Sequence, residues 1–456
     1  MPFVPHTATD CERLLSSLSL PDVNAVFAEI PASLPTVDLS TVLPAGQTEL
    51  AVWQALSARV QSEIPLCFLG AGAYPHYQPA AIAQLLSRGE FYTAYTPYQA
   101  EASQGTLQLI YEYQTLMANL MGHDVSNASL YDGASAVAEA VLMAARVRHA
   151  AERDTILVPT SLHPHYRAVL RTLLSARGFQ CVEWPHDAKT GTVLLTGLPA
   201  IEESRLLACV LPQPNFFGQL EAMDEITNWV HTTDACMIAV VNPLTLGILK
   251  PPGQWGDTGA DIACGDAQPL GLPVSFGGPY LGFLTTWQQH VRQMPGRLVG
   301  RTQDRSGKPG FVLTLQAREQ HIRRAKATSN ICTNQGLMVV AATLYLALLG
   351  PQGLQEVAAS CYARMRDFLA MLKTIPGVSE AFVGAHFHEC VIRIDGSVTA
   401  VVRAMQAEGI MPGLPLGDYY PELSQMVLVC LTETKTVEAI ARYGQALTRA
   451  LEVAHV

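Results

Sequence analysis

The sequence predicts an α/β chain with a large domain built on a mainly parallel, doubly wound sheet, a smaller C-terminal α/β domain, and an N-terminal helical arm. Three observations point there. Between residues 154 and 286, short apolar runs alternate with helical segments, the pattern of strands joined by crossover helices. After residue 351 a shorter strand-and-helix alternation begins. Residues 1–60 mix helical periodicity with proline-rich breaks, as in AEIPASLPTVDLSTVLPAG, and read as an arm laid on a neighbouring surface. The expected boundaries are 1–65 for the arm, 66–350 for the large domain and 351–456 for the small one.

Each element has its own signal. LQLIYEYQTLMANLM, residues 107–121, repeats apolar side chains on one helical face. A turn, Tyr131-Asp132-Gly133, precedes the alanine-rich helix ASAVAEAVLMAARVR, with Asp132 or Ser135 as its cap. TILVPT, ACVLPQ, MIAVVN and YLGFLTT are strands of the sheet, and HPHYRAVLRTLLSARG and MDEITNWVHTT are helices between them. The Arg- and Gly-rich stretch 292–330 is expected to run over the surface, and the helix at 335–349 to stop at Gly350-Pro351. The small domain follows as QEVAASCYARMRDFLAMLK (helix), HECVIRI (strand), SVTAVVRAMQAEG (helix), MVLVCLT (strand) and a helix at 435–453.

Composition excludes several functions. With 49% hydrophobic and 15% charged residues the chain is ordered. A mean hydropathy of +0.19 fits either a broad apolar subunit interface or an Ala/Leu/Val-rich core. The most apolar run, LMVVAATLYLALLG, is shorter than the roughly 20 residues a membrane span needs, so it reads as a buried helix. The N-terminus lacks a basic region followed by an apolar stretch, so a cytoplasmic location is expected. A net charge of −10 without a long basic tract argues against nucleic acid. The ten cysteines include no Cys-x-x-Cys pair and read as reduced core thiols, and His163-Pro164-His165 is too short a cluster for a metal site.

Residues 241–282 resemble the stretch of a pyridoxal-phosphate (PLP) enzyme that carries the Schiff-base lysine. Ala260-Asp261-Ile262 and Phe276-Gly277-Gly278-Pro279 look like its two shoulders. Between them lies Asp266-Ala267-Gln268-Pro269, without a lysine. Of the lysines 189, 250, 308, 326, 373 and 435, only Lys250 and Lys326 lie near this region, and Lys250 comes too early, before the next strand. The place of the aspartate that pairs with the pyridinium nitrogen holds Asn242-Pro243.

Three passages carry a wider resemblance: FLGAGAYPHYQPAAIAQLLSRGEFYTAYTPYQAEASQG from residue 68, GRLVGRTQDRSGKPGFVLTLQAREQHIRRAKATSNICTNQG from 296, and MPGLPLGDYYPELSQMVLVCLTE from 411. They resemble the first subunit of the two-subunit glycine decarboxylases, the P-proteins of the glycine cleavage system, along essentially the whole chain. The resemblance implies a fold type I PLP-transferase architecture. It also implies a heterotetramer in which PLP sits in the lysine-bearing second subunit and none is held covalently by this chain. The complex decarboxylates glycine and passes the aminomethyl group to the lipoyl arm of the H-protein. A self-sufficient PLP lyase or aminotransferase, and a non-catalytic regulatory protein on the same fold, are the alternatives.

Two segments are candidate contributions to the partner's active site. Tyr95, Thr96, Tyr98, Gln99 and Glu101 crowd hydroxyls, an amide and a carboxylate onto a proline-containing loop. Such a loop either reaches a cofactor pocket across an interface or packs there as aromatic surface. Thr328, Ser329 and Asn330 are unusually polar for the approach to an apolar helix, and serve either a phosphate across the interface or a helix cap. Tyr131-Asp132-Gly133-Ala134-Ser135 reads as the relic of a phosphate cup or simply as a helix start. The basic run from Arg292 through Lys326 is either a docking face for an acidic carrier or a solvated surface.

Overall fold

The computed structural model describes residues 5–31, 33–34, 39–60, 65–148 and 153–454, in two compact units, Met1–Ile64 and Pro65–Val456. In the first unit the helix Ala8–Ser17 starts with a capping box: Thr7 accepts from the Asp10 N–H, and Asp10 accepts from the Thr7 N–H. A second helix, Glu49–Ser57, is capped by Thr48. Neither helix buries a residue, and Trp53 is 71% exposed.

The second unit is organised by a seven-stranded sheet. From one edge its strands run Val125–Ser126, Gly282–Thr286, Ile262–Asp266, Cys236–Val241, Leu206–Gln213, Thr155–Pro159 and Gln180–Trp184. The last five are mutually parallel, and Gly282–Thr286 is antiparallel to both its neighbours. Parallel strands are covered on both faces, which is why these read as continuous apolar runs. Side chains alternate faithfully: Met237, Ala239 and Val241 enter the core on one face, while Cys236, Ile238 and Val240 enter the core on the other. The helices Gln104–Met121 and Gly336–Leu372 cover the first face, and Gly133–Val147 covers the second.

The helix Gly336–Leu372 is long and apolar enough by composition alone to cross a membrane, but 44% of its most apolar window is buried. It breaks at Gly350, with φ 60° and ψ −175°, immediately before Pro351. That conformation suits glycine, and proline supplies no N–H to continue the ladder. The helix therefore changes direction where the sequence marks a stop, but a second segment continues to Leu372 without an intervening loop.

That segment packs with Val398–Ala407 and Val437–Ala454 on a four-stranded antiparallel sheet, Val378–Glu380, Glu389–Ile394, Met426–Cys430 and Leu414–Pro415. All ten cysteines are free thiols; Cys390 and Cys430 lie in the core, whereas Cys11 and Cys332 are exposed. One expectation is corrected. The stretch 292–330 contains a β-hairpin, Leu298–Gln303 paired with Pro309–Thr314. Its turn is pinned by Asp304, whose Oδ1 accepts from the N–H groups of Ser306 and Lys308. Exposed residues from Arg301 to Lys308 hide the strand pattern.

Candidate functional site

The strand Ile262–Asp266 ends beside the N-terminus of the helix Gly133–Val147. Asp132 caps that helix, its Oδ1 accepting from the Ser135 N–H at 2.7 Å. Asp266 adds a second anion: its Oδ2 accepts from the Gly133 N–H at 3.0 Å, and its Oδ1 from the N–H groups of Gln268 at 2.9 Å and Leu281 at 3.3 Å. Only glycine admits this approach, because a Cβ at 133 would collide with the Tyr166 hydroxyl. Burial pushes the Asp266 carboxyl up to about 6 against those hydrogen bonds, with Asp132 adding to the rise.

Gln268 is fully buried. Its Nε2 donates to the carbonyls of Tyr74 and Leu272, and its Oε1 accepts from the Tyr74 N–H. Pro269 is buried beside it. Above them lies a cleft of about 350 Å³ in which Gly72, His163, Tyr166 and Asp266 face Tyr131 and Tyr280. His163 donates from Nε2 to the Ala71 carbonyl at 2.8 Å and stacks on Tyr166 with ring centroids 5.0 Å apart. Burial lowers its pKa to about 4, so the ring is neutral. An inner recess of the cleft reaches Asn242, whose Oδ1 accepts from the Leu244 N–H and whose Nδ2 lies 3.4 Å from Nε2 of His388.

Among the described residues none of the six lysines lines the cleft or its recess. Lys250 pairs with Asp224 at 2.8 Å on the outside, Lys326 is exposed, and Lys435 lies over the Phe68 ring.

The two loop segments singled out in the sequence meet elsewhere on this unit. Tyr95 and Tyr98 are 78% and 53% exposed, Gln99 and Glu101 are exposed, and the Thr96 hydroxyl is buried without a protein partner. Thr328 donates its N–H to the Arg318 carbonyl, Ser329 Oγ accepts from the Ile331 N–H, and Asn330 is exposed. Arg297, only 4% exposed, joins the two. Its Nη1 donates to Thr333 Oγ1 at 2.9 Å and Asn334 Oδ1 at 2.8 Å, its Nη2 to the Cys332 carbonyl at 3.2 Å, and its guanidinium lies 5.8 Å from the Tyr98 ring centre. A cleft of about 300 Å³ separates Tyr92, Tyr95 and Pro97 from Asn334 and Gln335, and Gln335 also lines the cleft over Asp266.

The basic run is therefore not one surface. Arg297 and Arg318 turn inward onto backbone carbonyls, while Arg292, Arg301, Arg305, Arg323 and Arg324 are exposed. Sequence reasoning counted Arg297 as one charge among nine; its place before the apolar Leu298-Val299 was the signal that it turns inward. Another cluster escaped it altogether. Glu433 accepts from the Tyr77 N–H through Oε1, and from His76 and the Cys361 thiol through Oε2. These donor atoms lie within 4.8 Å of one another and hydrogen-bond as a clasp on the loop 74–77.

The profile of the glycine cleavage system P-proteins matches residues 1–447. The chain belongs to that family. A "probable glycine dehydrogenase (decarboxylating) subunit 1" of Thioalkalivibrio sulfidiphilus is 53% identical over 452 residues, 99% of this chain and all of the relative. The protein of the same description from Nitrosomonas europaea is 52% identical, covering 99% of each chain. A crystal structure of glycine decarboxylase (P-protein) in inhibitor-bound form superposes with a TM-score of 0.87 at 40% identity, over 99% of this chain and all of that one. A sphingosine-1-phosphate lyase from Burkholderia pseudomallei, at 16% identity and a TM-score of 0.64, shares the fold. The architecture is that of the fold type I PLP enzymes, and PLP belongs to the chemistry of this P-protein family.

The residues of this chain's own cleft do not fit that cofactor. A PLP site needs an amine for the aldehyde, a carboxylate at the ring nitrogen and donors or cations for the phosphate. The cleft and its recess present the carboxamide of Asn242, the carboxylates of Asp132 and Asp266 and the imidazole of His163, and among their described lining residues there is no lysine or arginine.

Proposed function

We propose that this chain is the cofactor-free first subunit of a glycine dehydrogenase (decarboxylating). It works with a lysine-bearing second subunit that holds the PLP. The assembly decarboxylates glycine, releases carbon dioxide and transfers the aminomethyl group to the lipoyl group of an H-protein. In that assembly the chain's part is to complete its partner's site. Tyr95, Thr96, Tyr98, Gln99 and Glu101 are the residues of one contributing loop, and Thr328, Ser329 and Asn330 those of the other.

One observation carries this reading: the buried Gln268 carboxamide, bonded on both sides, stands in the region where a lysine would be needed. A second supports the lending role. Arg297 lies over the Tyr98 ring and bonds Cys332, Thr333 and Asn334, just after Asn330, while Tyr95 and Tyr98 stay 78% and 53% exposed, which leaves aromatic surface for a partner.

The test is a visible spectrum of the purified chain with PLP, before and after borohydride reduction. No reduced adduct in the chain alone, together with one adduct per pair mapped to the second subunit, is the expected result. An adduct mapped to one lysine of this chain would make it an independent PLP enzyme and end the proposal.

A further inference from the structure

We infer that Asp266 is a built-in anion that takes the place of a bound phosphate at the N-terminus of the helix Gly133–Val147, closing this cleft to phosphate-bearing ligands. The inference rests on the reading of this chain as the cofactor-free subunit, but it goes beyond a missing lysine. It assigns the exclusion to a group that occupies the site.

The argument begins with what a helix N-terminus offers. Its first N–H groups lack intrahelical partners and attract an anion, which in many nucleotide and cofactor sites is a phosphate. In this chain two of those donors are already used. Asp132 Oδ1 holds the Ser135 N–H, and Asp266 Oδ2 holds the Gly133 N–H. Asp266 does not visit that place by chance. Its other oxygen is fixed by the Gln268 and Leu281 N–H groups, from the segment that follows it and from the antiparallel neighbour strand. Gly133 leaves room for it, with Tyr166 closing the other side.

Charge completes the exclusion. The titratable side chains that line the cleft over Asp266 include two carboxylates, Asp132 and Asp266, neutral His163, and His165. Among its described lining residues there is no lysine or arginine. A phosphate entering here loses two of the helix's backbone donors and meets an anion at the place it would occupy. An empty relic of a phosphate cup would instead leave the Gly133 N–H turned to solvent.

The test uses the full-length chain and two probes, inorganic phosphate and pyridoxamine 5′-phosphate, which cannot form a Schiff base with a lysine. Titration calorimetry is run on the parent chain, Asp266→Ala and Asp266→Asn, with unphosphorylated pyridoxamine as the control ligand. The parent is expected to show no saturable binding. Asp266→Ala is expected to bind pyridoxamine 5′-phosphate about tenfold or more tighter than the parent, with Asp266→Asn between them and pyridoxamine unaffected. Asp266→Asn preserves size, so it decides the matter if the alanine variant fails to fold by circular dichroism. Folded variants that bind neither probe more tightly than the parent would overturn the inference. Saturable phosphate binding by the parent, without a borohydride-trapped adduct, would overturn it while leaving the proposed function intact. An adduct trapped in the parent when PLP itself is added and reduced with borohydride would overturn both.

Discussion

Gln268 and Tyr74 are joined by two hydrogen bonds through a single side-chain amide: the Tyr74 N–H donates to Oε1 at 2.8 Å, and Nε2 donates back to the Tyr74 carbonyl at 2.9 Å. The amide thus mimics one rung of an antiparallel ladder between segments 194 positions apart. A third bond, from Nε2 to the Leu272 carbonyl, saturates both amide protons. Gln268→Ala leaves the Tyr74 N–H and the Leu272 carbonyl without these partners, while the Tyr74 carbonyl keeps the His76 N–H. It is expected to lower stability by about 2–3 kcal/mol, read as a shift in urea midpoint. An unchanged midpoint would mean that water replaces the clasp.

The same geometry predicts that adding a lysine does not restore a cofactor. Pro269→Lys supplies an amine next to Gln268, yet Asp266 still occupies the helix N-terminus and Asn242 still stands where a carboxylate is needed. Incubated with PLP and reduced, this variant is expected to show no adduct at position 269. A stoichiometric adduct there would show that the lysine alone was missing.

Two other buried carboxylates make stability depend on pH. Glu389 accepts from the Ala71 N–H at 2.7 Å and the Tyr74 hydroxyl at 2.8 Å, and burial pushes its pKa up to about 7 from 4.5. Glu221, held by Ser161, Asn215 and the Val193 N–H, is pushed up to about 7 by the same cause. A raised carboxylate binds its proton more tightly when folded. These two sites therefore hold more protons folded than unfolded between 4.5 and about 7, and their contribution to stability falls as pH rises through that window. Each shift corresponds to about 3 kcal/mol in full. Buried His123 and His163, lowered to about 4, act in the opposite direction below pH 6.5, so the readout is a difference: relative to the parent, Glu389→Gln is expected to gain melting temperature as pH rises from about 5 to about 8. Parallel pH profiles for parent and variant would refute the assignment.

Arg297 is the residue whose loss is expected to damage both candidate loops together. Three donors go to Thr333, Asn334 and the Cys332 carbonyl, and its removal leaves Glu319, 4.0 Å away, without its cation. Arg297→Ala is expected to cost about 3 kcal/mol and to open residues 328–335 to limited proteolysis. Arg297→Lys keeps the charge but loses the planar fork, so it is expected to recover stability only in part. Full recovery would mean that charge alone matters.

The doubly wound sheet was legible because buried parallel strands are short, continuous apolar runs, and TILVPT, ACVLPQ and MIAVVN each overlap an observed strand. The hairpin Leu298–Gln303 with Pro309–Thr314 was not, because its exposed end is charged and glycine-rich and offers no clean alternation. At the candidate site, residue identity alone shows that Asp266-Ala267-Gln268-Pro269 contains no lysine. It does not show what these residues bond to. That Asp266 turns to Gly133 and Gln268 to Tyr74 depends on segments more than 130 positions apart, and no local pattern encodes such pairings.

The exposed tyrosines allow a direct test of the lending role. Tyr95 and Tyr98 are 78% and 53% exposed, and the Tyr98 ring meets Arg297 and, with ring centroids 5.5 Å apart, His321. Removing a hydroxyl from such a ring is expected to change stability by less than about 0.5 kcal/mol. If the ring only packs against a partner, Tyr98→Phe should leave the reconstituted enzyme intact, because the aromatic surface is unchanged. If the hydroxyl reaches the partner's site, glycine decarboxylation by the pair should fall about tenfold or more, a loss of roughly 1.4 kcal/mol of transition-state stabilisation. The second outcome is expected, with an unchanged melting temperature of the isolated chain and unchanged affinity for the second subunit. The rate at which labelled bicarbonate exchanges into the glycine carboxyl with the pair, measured beside its sedimentation profile, separates the two. Full activity in both Tyr95→Phe and Tyr98→Phe would assign this loop to packing alone.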